Sequence, residues 1–201
     1  MANVKTALLL SGGMDSTAIA YWQSPEVAIT VDYGQRAAAG EIRSAEAVTA
    51  TLDVEHHVLR ADLRALGSGD MAGSSSLSMA PVTEWWPYRN QALVTLAAMK
   101  AIALGVNRLL IGTLKTDARH ADGRPEFIRG LDALLRLQEG EITLEAPAIE
   151  LTAAELVRKS GVPMEVLAWA HSCHIGEFAC GLCRGCRKHY ETLRELGEAP
   201  Y

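Results

Sequence analysis

The 201-residue chain is 49% hydrophobic and carries a formal charge of −5 with a pI near 5.7. Its apolar content excludes intrinsic disorder, and no apolar run approaches the roughly 20 residues that a membrane helix needs. The acidic balance argues against a broad nucleic-acid footprint, which clusters Lys and Arg, so a small-molecule or protein partner is favoured.

In chain order, the N-terminus runs directly into the apolar stretch Ala7-Leu8-Leu9-Leu10, without a secretory leader, so a cytoplasmic protein is expected. That stretch predicts a strand, Ser11-Gly12-Gly13-Met14-Asp15-Ser16 a tight turn, and Thr17 to Trp22 the body of a helix. The turn is an anion site by geometry. Adjacent glycines let the backbone turn its N–H groups inward, Ser11 and Ser16 add hydroxyls, and the opening helix brings the positive end of its dipole. A phosphate or pyrophosphate is the natural guest. A P-loop would need a longer spacer and a Lys followed by Ser or Thr, which this stretch lacks. Asp15 would repel phosphates alone, so a Mg²⁺ ion is expected between its carboxylate and the phosphate oxygens.

Val27 to Val31 predicts a second strand, ending at Asp32-Tyr33-Gly34-Gln35-Arg36. Ala38 to Leu52, with Ile42, Ala45, Val48 and Leu52 at helical spacing, predicts a crossover helix, and Val54 to Leu59 a third strand. The Gly- and Ser-rich run from Asp62 to Thr83 predicts a lid or a partly disordered loop. A buried helix follows over Gln91 to Leu104, then a strand over Arg108 to Ile111 that delivers Gly112 to the site. Arg124 to Glu139 predicts an amphipathic helix with Pro125 in its first turn, and Ile142 to Glu145 a last short strand. Thr152 and Glu155 form a capping box for a helix that Gly161 ends. Strands alternating with helices imply an α/β fold with a doubly wound parallel sheet.

Cys173, Cys180, Cys183 and Cys186 stand close together with glycines between them. Four such thiolates suit a closed, structural Zn²⁺ site. An iron–sulfur cluster is the rival, but the compact spacing does not match ferredoxin patterns. Disulfides would be out of place in a reducing compartment. The chain is therefore expected to be one domain over residues 1–201, with a nucleotide-binding core over 1–150 and a small helical, zinc-binding C-terminal part over 151–201.

The Ser11–Ser16 string after a first strand resembles the pyrophosphate loop of the ATP pyrophosphatase superfamily, whose fold is adenine nucleotide alpha hydrolase-like. Together with Asp32-Tyr33-Gly34-Gln35-Arg36, Pro87-Tyr88-Arg89-Asn90, Asp122 to Ile128 and the cysteine cluster, it resembles the 7-cyano-7-deazaguanine synthase family nearly end to end. The resemblance implies an ATP-dependent C–N ligase of queuosine biosynthesis that uses ATP, Mg²⁺ and Zn²⁺. In that family the carboxylate of 7-carboxy-7-deazaguanine is adenylated, amidated by ammonia and converted to a nitrile, with ATP becoming AMP and pyrophosphate. It further implies that Ser11, Gly12, Gly13, Asp15 and Ser16 contact phosphate and Mg²⁺, and that Tyr33, Gln35, Arg89 and Asn90 stand at the nucleotide and its reacting carboxylate. Asp15, Arg89 and Asn90 are the expected catalytic groups, because an adenylation needs cationic and N–H donors around the reacting phosphorus and oxyanion.

Several positions depart from the family pattern. Its Pro-Gly-Arg-Asn reads Pro87-Tyr88-Arg89-Asn90, and Asp117 to Arg124 is shorter than the family's loop and lacks its tyrosines. Asp117, Arg119 and Arg124 are the expected acceptor-side residues, arginine forks being suited to a carboxylate or a guanine-like carbonyl. A paralogue that couples the same activated carboxylate to another amine, on a protein N-terminus or lysine, is an alternative. A tRNA thiolation enzyme is another, disfavoured by charge and by the lack of room for an RNA-binding domain. The oligomeric state is left open, a homodimer included.

Overall fold

The structure is a computed structural model that describes residues 4–199. Among these, the strands β1 (Thr6–Leu9), β2 (Val27–Asp32), β3 (Glu55–Arg60), β4 (Arg108–Leu110) and β5 (Thr143–Glu145) form one parallel sheet in the order β3-β2-β1-β4-β5. The helices are α1 (Met14–Gln23), α2 (Ala38–Leu52), α3 (Arg89–Ala103), α4 (Pro125–Arg136), α5 (Ala153–Ser160), α6 (Met164–Leu167) and α7 (Arg184–Leu196). No helix among the described residues is long and apolar enough to cross a membrane.

Parallel strands need crossovers, and helices on both faces bury the sheet twice. Side chains alternate across the strands, so Ala7, Val27, Ile29 and Leu109 feed one core while Leu8, Ala28 and Leu110 feed the other. The first core is closed by Val94, Ala97 and Ala101 of α3 and by Ile128, Leu131 and Leu135 of α4. The second is closed by Ala18 and Ile19 of α1, Val48 of α2, Leu156 of α5 and Leu193 of α7. Fully burying one such leucine or isoleucine contributes about 1.5–3 kcal/mol. The C-terminal residues therefore share the core of the α/β sheet.

The elements α1 to α5 form where local chemistry places them. Ile128, Leu131 and Leu135 recur at helical spacing behind Pro125 at the first position of α4. The Thr152 Oγ1 accepts from the Glu155 N–H at 3.3 Å while the Glu155 carboxylate accepts from the Thr152 N–H at 2.8 Å, and Gly161 ends α5 at φ 64°. The short α6 and the long α7 have no counterpart in the expected elements. The buried stripe of α7 is Gly185, Cys186, His189, Thr192 and Leu193, so its periodicity is written mostly in small and polar residues.

The segment expected to be a lid or partly disordered is folded against the core. It contains a 3₁₀ turn, Arg64–Leu66, and buries Met71 and, just beyond it, Trp86. The Asp70 N–H donates to the Thr83 carbonyl at 2.8 Å and the Thr83 hydroxyl returns to the Asp70 carboxylate at 2.6 Å. Ser68, itself buried, accepts from the Leu77 N–H at 3.1 Å.

Candidate active site

Strand order reverses beside β1, because the chain leaves β1 toward β2 on one side and returns through α3 to β4 on the other. Ligands of open parallel sheets collect in the crevice at such a reversal, outside the carboxyl ends of the strands. A cavity of about 300 Å³ opens there, within the size range of small-ligand sites. Ser11, Gly13, Asp15 and Ser16 line it after β1, and Gly112 and Asp117 line it after β4. A Cβ on Gly112 would stand 3.5 Å from the Cα of Ser16, so the two loops lie in contact.

The Ser11–Ser16 turn is held from behind. Gly12 has φ +72°, and a Cβ there would lie 2.5 Å from the Glu41 carbonyl oxygen, so only glycine fits. Its own carbonyl accepts from the Ser44 hydroxyl at 2.6 Å and from the His171 N–H at 2.8 Å. Gly12 thus shapes the turn without lining the cavity. In front, the Ser11 and Ser16 hydroxyls lie 3.1 Å apart, and the Gly13 N–H donates to Ser11 at 3.3 Å. The first N–H groups of α1 have no intrahelical partner, so the mouth of the cavity meets the positive end of a helix.

The opposite wall is the start of α3. Arg89 opens the helix, donates through one guanidinium nitrogen to the Met71 sulfur at 2.8 Å, and lies 3.4 Å from the Asn90 side-chain oxygen. Tyr33 is buried nearby, edge-on to Trp86 at 5.0 Å, and burial raises its phenol further above physiological pH. Glu41 also lines the cavity, and burial pushes its carboxyl up to about 7 against the opposing pull of Gln35 and Arg89. Tyr88, just before Arg89, sits at φ 54° with its ring mostly exposed.

The C-terminal helix completes the site. Lys188 Nζ lies 2.6 Å from an Asp15 oxygen and 4.0 Å from Asp117. Burial works against the ammonium, but the two carboxylates outweigh it and hold Lys188 protonated, above its ordinary value. Burial in turn raises Asp15, and Lys188 offsets this only in part, a condition that favours a further cation beside the carboxylate. Arg184, at the start of α7, ion-pairs with the buried Glu84. Lys188, Arg184, Glu41 and Glu84 were not among the residues expected at the site.

Beside these groups the Sγ atoms of Cys173, Cys180, Cys183 and Cys186 all lie within 4.8 Å of one another, with Cys173–Cys183 and Cys180–Cys186 at 3.9 Å. A tetrahedron with metal–sulfur bonds of about 2.3 Å has edges of about 3.8 Å, so the set fits one tetrahedral ion. Burial opposes ionisation of Cys180, but the Cys183 and Leu182 N–H groups prevail and bring it down to about 6. Burial and the neighbouring sulfurs push Cys186 up to about 12, as expected of clustered thiols that need a cation before all can ionise.

The structure does not bring every expected residue to the cavity. Gln35 is buried, its oxygen accepting from the Tyr33 N–H at 2.9 Å and its amide donating to Val31 and Glu41, so its polar atoms are spent holding the loop after β2. Arg119 and Arg124 are exposed, because the 3₁₀ turns Lys115–Arg119 and Ala121–Gly123 curl them outward and Arg124 is tied to the Ala118 carbonyl at 3.0 Å. His120 and Asp122 of the same stretch line the cavity instead. Asp117 caps its own turn through the Leu114 N–H at 2.9 Å.

Residues 5–197 match the family model described as queuosine biosynthesis protein QueC. Curated relatives named 7-cyano-7-deazaguanine synthase include one from Trichodesmium erythraeum, 31% identical over 96% of this chain and 97% of its own. Others come from Cellvibrio japonicus, 33% identical over 99% and 97%, and Methanoculleus marisnigri, 35% identical over 96% and 95%. Among solved structures, the U34-tRNA thiolase NcsA from Methanococcus maripaludis, with its [4Fe-4S] cluster, superimposes with a TM-score of 0.53 and 17% identity, over 96% of this chain and 66% of that one. At that identity the likeness bears on the fold alone. Matched from end to end by relatives of one kind, the chain belongs to the QueC family of queuosine biosynthesis proteins, enzymes of the 7-cyano-7-deazaguanine synthase type.

Proposed function

We propose that the protein activates the carboxylate of 7-carboxy-7-deazaguanine with ATP and carries it through the amide to 7-cyano-7-deazaguanine. The observation that carries this reading is the single cavity that sets the Ser11–Ser16 turn, at the start of α1, opposite Arg89 and Asn90, at the start of α3. One wall suits a polyphosphate and the other an oxyanion, the two charges an adenylation must hold together.

In the first step a carboxylate oxygen attacks the α-phosphorus and pyrophosphate leaves. Ammonia then attacks the acyl carbon and AMP leaves, giving an amide. The amide oxygen then attacks the α-phosphorus of a second ATP, pyrophosphate leaves and one N–H proton is lost, and departure of AMP with the second N–H proton yields the nitrile. The Ser11 and Ser16 hydroxyls and the Gly13 N–H hold phosphate oxygens, while Arg89 and Asn90 orient the carboxylate and the charge that develops on it. A Mg²⁺ ion on Asp15 would neutralise the polyphosphate. Zn²⁺ suits the four cysteines, because their spacing is that of one ion, whereas a four-iron cluster gives each thiolate its own iron and spreads the sulfurs. Its role is structural, since the four thiolates leave no open position.

Mass spectrometry of products from ATP and 7-carboxy-7-deazaguanine, with and without ammonia, tests the reading. AMP, pyrophosphate and the nitrile are expected, and Asp15→Ala should lower turnover by about 100-fold or more with the fold intact. Formation of ADP, or no ATP turnover at all, would overturn it.

A second reading, transfer of the acyl group to an amine on a protein, is favoured by one specific feature. Tyr88, exposed and outside the cavity lining but adjacent in sequence to Arg89, holds a left-handed conformation where the family pattern has glycine.

A further inference from the structure

The phosphate loop follows its strand without the lysine that P-loop proteins place on the terminal phosphates, yet the cavity contains one. It arrives from the other end of the chain. Lys188, on the second turn of α7, reaches across to Asp15, 173 positions earlier, at 2.6 Å. Its side chain is about one third exposed, toward the cavity that it lines, and Asp117 at 4.0 Å is a second acidic neighbour. Arg184, one turn earlier on the same helix, lines the cavity too but is held by Glu84. Lys188 is therefore the ammonium placed directly over the carboxylate of the phosphate loop.

We propose that Lys188 is a phosphate-binding cation, exchanging Asp15 for a pyrophosphate oxygen when a divalent ion takes the carboxylate. The inference rests on the adenylation reading and adds to it a residue that changes partners. Without nucleotide, the ammonium neutralises Asp15 and keeps the loop from presenting a bare carboxylate to an incoming polyphosphate. With the divalent ion on Asp15, the same ammonium is repelled by that ion and attracted to the phosphates, and its flexible four-carbon stem lets it follow. During adenylation the carboxylate–phosphorus bond forms and the bond from the α-phosphorus to the bridging oxygen breaks, leaving the electron pair on pyrophosphate. Lys188 retains its protons throughout and stabilises that leaving charge.

Such a residue competes with the divalent ion and cooperates with pyrophosphate, so its removal should move the two affinities in opposite directions. In the metal-loaded full chain, Lys188→Met should bind Mn²⁺, used as a spin probe for Mg²⁺ without nucleotide, about threefold or more tightly, because Asp15 is freed. The same variant should bind inorganic pyrophosphate with Mg²⁺ about tenfold to a hundredfold more weakly, the loss of one charge-assisted hydrogen bond. Lys188→Arg should restore pyrophosphate binding to within about threefold, since charge and reach are kept. Unchanged pyrophosphate affinity in Lys188→Met would overturn the proposal. So would parallel weakening of Mn²⁺ and pyrophosphate with loss of the cysteine-bound metal, the signature of a structural lysine. Failure of the wild-type protein to bind either probe would sink the adenylation reading itself, a result distinct from normal wild-type binding that Lys188→Met leaves untouched.

Discussion

Arg184 stands between Cys183 and Cys186, and its guanidinium is paired with Glu84, a carboxylate only 7% exposed in the segment that leads into α3. One ion pair thus ties the cysteine cluster to the stretch that delivers Arg89. Breaking it by Glu84→Gln leaves a cation partly buried without its counter-charge. Removing one partner of a fully buried pair costs about 3–5 kcal/mol, and the partial exposure of Arg184 lowers the expected loss to about 1–3 kcal/mol. At about 2–4 °C per kcal/mol for a chain of this length, thermal unfolding should drop by roughly 2–12 °C. A double-mutant cycle with Arg184→Met should show coupling above about 0.5 kcal/mol, and additive effects would deny the pair a stabilising role.

The four sulfurs make metal content the next measurable consequence. Purified protein should hold about one Zn per chain, and Cys183→Ser should lose the metal and give poorly soluble protein, since binding to a closed site is folding free energy. Lys188 and Arg184 lie on the helix that Cys186 anchors, so chelation should also weaken nucleotide binding. Iron with visible absorbance, or full stability without metal, would contradict the assignment.

The sheet, the phosphate turn and the cysteine cluster were legible in the sequence because each writes its chemistry locally. Strand periodicity, adjacent glycines before a helix and closely spaced thiols are all short-range patterns. Lys188 was not legible in this way. Its partner is 173 positions away, and α7 buries Gly185, His189 and Thr192 in place of an apolar stripe. Residue type placed Arg119 and Arg124 at a carboxylate site, while two 3₁₀ turns, which depend on the local backbone rather than on residue type, face them to solvent. Gln35 was assigned to the ligand, yet its amide bonds are all consumed in shaping the backbone beside Tyr33.

Glu41 gives a pH dependence with a definite sign. Burial lifts its carboxyl from 4.5 to about 7 in the folded protein, so between these values the folded state binds the proton more tightly. Its contribution is therefore favourable at low pH and declines as pH rises from about 4.5 through about 7. Glu41→Gln, which cannot ionise, should flatten that part of the stability profile, by about 1–3 kcal/mol across the window. Urea midpoints at intervals from pH 5 to pH 8 would show it. Parallel profiles for the two proteins would mean that Glu41 titrates as an ordinary surface carboxylate.

Tyr88 separates the two readings of the acceptor. A left-handed conformation costs a non-glycine residue roughly 1–2 kcal/mol, while glycine costs about 0.5–1 kcal/mol in unfolded-chain entropy. Tyr88→Gly, which restores the family's Pro-Gly-Arg-Asn, should therefore leave stability unchanged or raise it by up to about 1 kcal/mol. The ring is 78% exposed, so little packing is lost. An exposed tyrosine in that conformation beside Arg89 makes Tyr88→Gly the variant that tests a protein acceptor. Pyrophosphate release with 7-carboxy-7-deazaguanine should stay within about threefold in the variant, because Arg89 and Asn90 keep their helix start. Coupling to a peptide α-amine should fall relative to coupling to ammonia if the ring seats a protein acceptor. Equal yields with both amines would leave ammonia as the natural donor, and a marked fall in stability would instead make Tyr88 part of the fold.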